Sequence, residues 1–269
     1  MDQYWLERQE SALTYGDKID LLGVAQQIES RMRAAGGEFP RWLADSIGSL
    51  PLRDPSLFEA IAKIDAPIAT TNYDTLGEEA LSCGSTSWSD SVDVAAWLAQ
   101  DRRNRPIFHL HGVWANPETV VLGHTSYQSL ANHEHAQFVQ QVLAATKSFL
   151  FIGCGSGMED PNLGILIDWI RTRYPNSLHR HYRLCLDKDV CALQTNRSPN
   201  DRVYPIVYGN KYSQLTQFVK EHLFHWHYIV PHDLIQMAAG MKGKFQKCFQ
   251  RQTVEKKKTR FYQNGRPFL

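Results

Sequence analysis

Short apolar runs separated by helical patterns occupy most of the chain. The clearest run covers residues 148–153 and contains four consecutive large apolar residues. Such a run is typical of a strand buried on both faces of a sheet. Other runs, less uniformly apolar, predict strands at 67–71, 107–110, 181–186 and 203–208, with a further short extended piece at 120–122.

Between these strands, apolar residues recur with the period of a helix. Leu21, Val24, Ala25 and Ile28 lie at i, i+3, i+4 and i+7, on one face of a helix predicted over 17–33. The other predicted helices cover 40–48, 55–63, 74–82, 92–99, 126–146, 160–173, 213–224 and 232–250.

Alternation of strands and helices predicts an α/β fold. We expect a Rossmann-like, doubly wound and mostly parallel sheet with a helical insertion. Residues 1–228 are predicted to form this domain, and 229–269 a helical, basic C-terminal extension.

Polar and small residues follow three of the predicted strands. They are Thr70-Thr71-Asn72-Tyr73-Asp74, His109-Leu110-His111-Gly112 and Gly153-Cys154-Gly155-Ser156. Open α/β sheets bind ligands outside the carboxyl ends of their strands. These three segments are therefore predicted to line one cleft.

Composition excludes several classes of protein. The 269 residues carry a net charge of +1, which gives no whole-chain argument for nucleic acid or membrane binding. Only the basic tail, within 242–260, is a candidate for contact with nucleic acid. No apolar run reaches the roughly 20 residues of a membrane span, and residues 1–10 are polar. We expect a cytoplasmic protein with reduced thiols, because its five cysteines include no Cys-x-x-Cys pair.

Several of the polar residues have structural alternatives. Asn72 could cap the helix that begins near Asp74. His109 and His111 share a strand face, so pleating does not choose between them; His111 lies at the strand end, and His109 is expected to be packed. Glu159 and Asp160 could form a catalytic pair, but helix capping is the simpler expectation.

No metal is expected at the histidines of the chain. His109 and His111 have no third ligand nearby in sequence, and the pair His133 and His135 lies on a polar helical stretch. A second histidine set, His222, His225 and His227, has a spacing that does not converge well on a helix.

Taken together, these motifs resemble the sirtuin-like superfamily. The similarity is greatest to the bacterial sirtuin-like domains of antiphage defence systems such as Thoeris. It covers about residues 60–224 and includes Leu110-His111-Gly112, Phe151-Ile152-Gly153 and Asp160-Pro161-Asn162-Leu163. The resemblance implies hydrolysis of NAD to nicotinamide and ADP-ribose.

The resemblance also implies roles for individual residues. Asn72 corresponds to the asparagine that contacts the nicotinamide ribose and orients water, and His111 to the general base. The residues implied to contact the rest of NAD, or to support the loops that do, are Thr70, Thr71, Asp74, Gly153, Gly155, Ser156, Tyr208 and Gly209.

Two departures from the family qualify the expected activity. Residues 1–36 contain no Gly-Ala-Gly-type loop, which predicts that the opening strand of the fold is missing. The tetracysteine zinc module of protein deacylases is absent, which disfavours deacylation. An impaired NAD- or ADP-ribose-binding or scaffolding module is therefore an alternative. A protein partner encoded nearby (an ATPase, a nuclease or an Argonaute-like protein) and oligomerisation are also expected.

Overall fold

A computed structural model describes residues 14–15, 18–98, 105–154, 160–173, 180–195 and 203–223. They belong to two compact units. The first extends to Phe149 and includes 160–173; the second contains Leu150–Cys154 and the residues from Arg180 onward. The predicted extension, 229–269, lies outside the described residues, so the division at residue 228 stays a prediction.

The first unit contains a three-stranded parallel sheet. Its strands are β3 (Ala69–Thr70), β4 (Ser85–Ser87) and β5 (Ile107–His109), in the order β3-β5-β4. An antiparallel pair of two-residue strands, β1 (Thr14–Tyr15) and β2 (Lys18–Ile19), precedes them. The sequence did not predict β4, because its three residues are all polar and give no hydrophobic signal. The extended piece expected at 120–122 forms no strand.

Helices surround this sheet at nearly all of the predicted places. They are α1 (Leu21–Ala34), α2 (Glu38–Leu43), α3 (Ser56–Ala62), α4 (Leu76–Leu81), α5 (Ser91–Leu98), α6 (His124–Ala131), α7 (Glu134–Thr146) and α8 (Pro161–Arg173). A π-helical turn, Ala44–Gly48, continues α2.

One predicted helix is two helices in the structure. The expected helix 126–146 breaks where Asn132 ends α6 and His133 begins α7. The His133 Nδ1 accepts a hydrogen bond from the Ala136 amide at 3.2 Å, which caps α7. This cap satisfies a main-chain amide that the interruption leaves without a helical partner.

Apolar residues from the helices pack against the central strand. Phe108 of β5 is buried with Val94, Trp97 and Val139 of α5 and α7. A separate cluster joins α1 and α2 to the loop before α6 and contains Met32, Phe39, Leu43 and Val120. The first cluster holds β5, the strand that leads to His111, against α5 and α7.

The second unit contains another three-stranded parallel sheet. Its strands are β6 (Leu150–Phe151), β7 (His181–Leu186) and β8 (Val203–Gly209), in the order β6-β7-β8. Helix α9 (Val190–Thr195) lies between β7 and β8 in the chain, and α10 (Leu215–His222) follows β8. The α/β class with parallel strands is thus confirmed. The run around β6 is shorter and less buried than predicted, since Leu150 and Phe151 are only half-buried.

Two further findings concern the described residues as a whole. No helix among them is both long and apolar enough to cross a membrane. Cys83, Cys154 and Cys185 are free thiols.

Candidate functional site

The loop after β3 presents Asn72 to solvent. The main-chain amide of Asn72 donates to the Thr70 Oγ1 at 3.1 Å, which tightens the turn. The carboxylate of Asp74 accepts from the Leu76 amide at 3.2 Å, where α4 begins. The side-chain amide of Asn72 is exposed and bonds to none of the described residues. The alternative in which Asn72 caps the helix is therefore wrong.

The loop after β5 has little conformational freedom. His111 accepts a hydrogen bond from the Val121 amide on its carbonyl oxygen at 2.9 Å. Gly112 has φ +81°, and a Cβ on it would lie 2.1 Å from the Thr119 carbonyl oxygen. Only glycine fits there. These contacts hold the His111 side chain in a buried position, 3% exposed.

His111 contacts a carboxylate from a distant part of the chain. Its Nε2 lies 3.3 Å from Asp160 Oδ1, although its N–H does not point at that oxygen. The Tyr127 hydroxyl donates to Asp160 Oδ2 at 2.5 Å, and its ring meets the His111 ring edge-on at 5.4 Å. A histidine, a carboxylate and a tyrosine therefore form one cluster at this sheet edge.

Asp160 is ionised in this cluster. Burial alone would raise the pKa of its carboxyl group. The contact with His111 and the Tyr127 hydrogen bond outweigh burial and lower that pKa below its ordinary value. Burial and the neighbouring Asp160 charge raise the pKa of Tyr127. Burial, with the charges of Asp160 and Glu29, raises the pKa of Tyr73 to about 12. Both phenols are therefore neutral donors near neutral pH.

Asp160 also begins α8. Its Oδ1 accepts from the Asn162 and Leu163 amides, each at 3.0 Å. The prediction that Asp160 caps a helix is confirmed. The same carboxylate also faces His111. The sequence predicted the helix cap but not this second contact.

The lowered pKa of Asp160 predicts a pH effect on stability. A carboxyl group whose pKa is depressed by folding stabilises the protein above its ordinary pKa of 3.8. This contribution is lost as pH falls through the lower pKa of the folded state. Asp160→Asn keeps a capping oxygen but removes the charge. At pH 6 we expect the free energy of unfolding to be larger for the wild type than for this variant. At pH 3 we expect the difference between the two proteins to be smaller.

Urea titrations at the two pH values measure this difference. Asp168→Asn is the control, because Asp168 is an exposed carboxylate on the same helix. A difference between wild type and Asp160→Asn that does not change with pH would contradict the assignment.

The two proposed catalytic residues follow adjacent, paired strands. Thr70 stands opposite His109 in the ladder between β3 and β5, so Asn72 and His111 lie just beyond the same carboxyl edge. Thr70 ends its strand, and Thr71 follows it half-buried. Their roles toward a ligand stay predictions.

In the second unit, three predicted residues lie at one carboxyl edge. Gly153 follows β6 with φ +72° and is exposed. Tyr208 and Gly209 end β8 on the other side of β7, and Tyr208 is buried. Gly155 and Ser156 lie outside the described residues.

Sequence reasoning missed two members of the site. Tyr127 lies on a helix with no local sequence signal for a role at the strand ends. Asp160 had one signal, its place in the Asp-Pro-Asn-Leu motif, but its contact with His111 joins residues 49 positions apart. Only the packing of α8 brings them together.

The described residues contain no group of three or more His, Cys, Asp or Glu side chains arranged to hold a metal ion. His133 caps α7, and His222 lies beside Glu221 on an exposed helix face. The other residues of the second histidine set lie beyond residue 223. The prediction that no metal is needed stays a prediction.

A polar cavity of about 540 Å³ opens beside β4. Its walls include hydroxyl groups from the end of β4 and an amide from the loop after β5. The polar residues that line it are Ser85, Ser87, Ser89, Asp90, Ser91 and Asn116.

Parallel strands whose carboxyl ends carry an exposed amide and a histidine–carboxylate pair have polar side chains at the edge where open α/β sheets bind ligands. Residues 67–206, just over half of the chain, match the SIR2-like domain, and the chain belongs to that family.

Two relatives show where such domains occur. The chain is 28% identical over 180 residues to "NAD(+) hydrolase ThsA" of Acinetobacter baumannii (strain 532279), covering 64% of this chain and 36% of that protein. It is 28% identical over 156 residues to "Defense-associated sirtuin 2" of Bacillus subtilis, covering 56% of this chain and 14% of that protein. The chain thus spans only a minor part of either relative.

Proposed function

We propose that this domain hydrolyses NAD to nicotinamide and ADP-ribose, in the service of antiphage defence. The observation that carries the proposal is the pairing of His111 with Asp160 at the sheet edge that also presents Asn72. The relative named as an NAD(+) hydrolase supports the substrate, and the relative named as a defence-associated sirtuin supports the setting.

The chemistry follows from these groups. Cleavage of the bond between ribose C1′ and the nicotinamide nitrogen leaves the electron pair on nicotinamide and positive charge on the ribose. Water supplies the new C1′–O bond and loses one proton. Asn72, a neutral amide, can hold that water without trapping the cation, and His111 can take the proton.

Asp160 supports His111 in its role as general base. A carboxylate beside an imidazole stabilises the imidazolium that forms when the ring takes a proton. Because Nε2 faces Asp160, Nδ1 is the ring nitrogen that we assign to proton transfer. The polar cavity beside β4 offers hydroxyl and amide groups that suit the ribose hydroxyls of NAD.

Purified protein incubated with NAD tests this function directly. We expect nicotinamide and ADP-ribose to appear in equal amounts, as measured by chromatography. An acetylated peptide added to the same reaction should remain acetylated, which distinguishes hydrolysis from deacylation. NAD that stays intact under these conditions would contradict the proposal.

A binding module is the second candidate. His111 is only 3% exposed, so a substrate has little access to its ring, whereas binding alone needs no such access. Calorimetric titration with NAD and with ADP-ribose separates the two functions. Binding of both without release of nicotinamide would favour the module.

We further propose that the domain works with a protein partner encoded nearby, of the ATPase, nuclease or Argonaute-like kind, or as an oligomer. The support is membership of the SIR2-like family and the relative named as a defence-associated sirtuin. Co-expression with the neighbouring genes, followed by size-exclusion chromatography, tests both.

A further inference from the structure

A second histidine, His109, links the Asn72 loop to helix α4. Its Nδ1 lies 2.9 Å from the Asn72 carbonyl oxygen, and its Nε2 lies 2.6 Å from Glu78 Oε1. The His109 side chain is fully buried, and Glu78 is 9% exposed. His109 is packed as the sequence predicts, but both of its ring nitrogens have polar partners.

The two partners determine where the protons lie. A carbonyl oxygen only accepts, so Nδ1 must carry a hydrogen and donate it to Asn72. Glu78 and Nε2 share one further proton, and the Nδ1–H bond is the same whichever of them holds it. The Glu78 side chain therefore selects the form of His109 that can hold the Asn72 main chain.

Close packing delivers Glu78 to this position. The preceding residue, Gly77, faces β5, and a Cβ on it would lie 2.7 Å from the Ile107 Cδ1 and 3.0 Å from the Phe58 ring. The absence of a side chain at Gly77 thus lets α4 lie directly against β5. Glu78, one residue further, reaches the buried ring of His109.

The rest of the loop is held by main-chain bonds. The Leu110 amide donates to the Thr70 carbonyl at 2.9 Å, and the Trp114 amide to the Tyr73 carbonyl at 2.9 Å. Asn72 lies between Thr70 and Tyr73, and its carbonyl oxygen accepts a hydrogen bond from the His109 side chain. The direction of the Asn72 side chain therefore depends on this contact.

We propose that Glu78 and His109 are positioning residues that hold Asn72 in place for catalysis. This inference rests on the proposed NAD hydrolysis for its effect on rate. Neither side chain is placed to touch substrate, since His109 is fully buried. A misplacement of about 1 Å in a catalytic group can cost on the order of 10²-fold in rate.

Two substitutions at Glu78 separate position from charge. Glu78→Gln keeps the length of the side chain, and its amide can donate to Nε2, which leaves the proton on Nδ1. Glu78→Asp keeps the charge but is one methylene shorter, so it withdraws from His109. Glu79→Gln, at the exposed next residue of α4, is the matched control.

Hydrogen exchange in the segment 70–74, measured by mass spectrometry, reports the loop without requiring turnover. We expect faster exchange in Glu78→Asp, together with kcat lower by on the order of 10²-fold and an unchanged Kd for ADP-ribose. Glu78→Gln and the control should exchange and turn over as wild type does.

Two results would overturn the inference. One is exchange at the wild-type rate in Glu78→Asp. The other is impairment of Glu78→Gln as large as that of Glu78→Asp, because the reach of the side chain to His109 would then not be what matters. If wild type leaves NAD intact, the proposed function fails, while the exchange comparison still decides whether Glu78 positions the loop.

Discussion

Replacing Asn72 or His111 with alanine is expected to abolish the release of nicotinamide from NAD. Loss of a general base costs about 10² to 10⁴-fold in rate, and loss of an oriented polar group at the reacting centre about 10² to 10³-fold. Steady-state assays of nicotinamide release over a range of NAD concentrations measure both variants. The loss should appear in kcat, because both groups act on the reacting water.

The two variants differ in their effect on folding. Asn72 is exposed and its side chain bonds to none of the described residues, so Asn72→Ala should unfold at the wild-type temperature. His111 is buried against Asp160, and its removal leaves a buried carboxylate without that neighbour. We therefore expect His111→Ala to be less stable, and Asn72→Ala is the cleaner test of chemistry.

His124→Ala is the control for general effects of losing a histidine. His124 is exposed on α6 and pairs with Asp20 at 3.2 Å, away from the proposed catalytic residues in sequence and contacts. Its turnover should equal that of wild type. NAD hydrolysis that survives both Asn72→Ala and His111→Ala would refute the site.

Gly112→Ala is expected to destabilise the protein by roughly 4 kcal/mol, from a left-handed φ imposed on alanine and from overpacking. The added Cβ would lie 2.1 Å from the Thr119 carbonyl oxygen, a main-chain atom that cannot rotate away. Urea-induced unfolding measures the change. Because Gly112 follows His111 directly, the folded fraction should also lose NAD turnover.

Gly36→Ala separates the cost of the left-handed backbone from the cost of the contact with Thr119. Gly36 also has a positive φ, +64°, but nothing lies within 4 Å of a Cβ placed on it. This variant should lose only about 1 kcal/mol, the cost of the left-handed backbone for a residue with a Cβ. Equal losses in the two variants would show that the contact with Thr119 is unimportant.

Local patterns were sufficient for most of the fold. The strand β7 was predicted with the boundaries that the structure gives it, and α1, α3 and α8 within a few residues. Periodicity and apolar runs reflect burial of a local face, so they are readable without knowing the partner. The same reasoning fails at β4, where Ser85–Ser87 is a strand only because it pairs with β5.

The candidate site divides in the same way. Local sequence is enough to predict that Asn72 and His111 follow strands, because polar residues directly after an apolar run mark a strand end. Their neighbours depend on tertiary packing: Asp160 and Tyr127 for His111, and His109 with Glu78 for Asn72. The neighbours of His111 lie 16 and 49 positions away from it in the sequence. His109 lies 31 positions from Glu78 and 37 from Asn72. These contacts depend on how helices pack on the sheet, which no local pattern encodes.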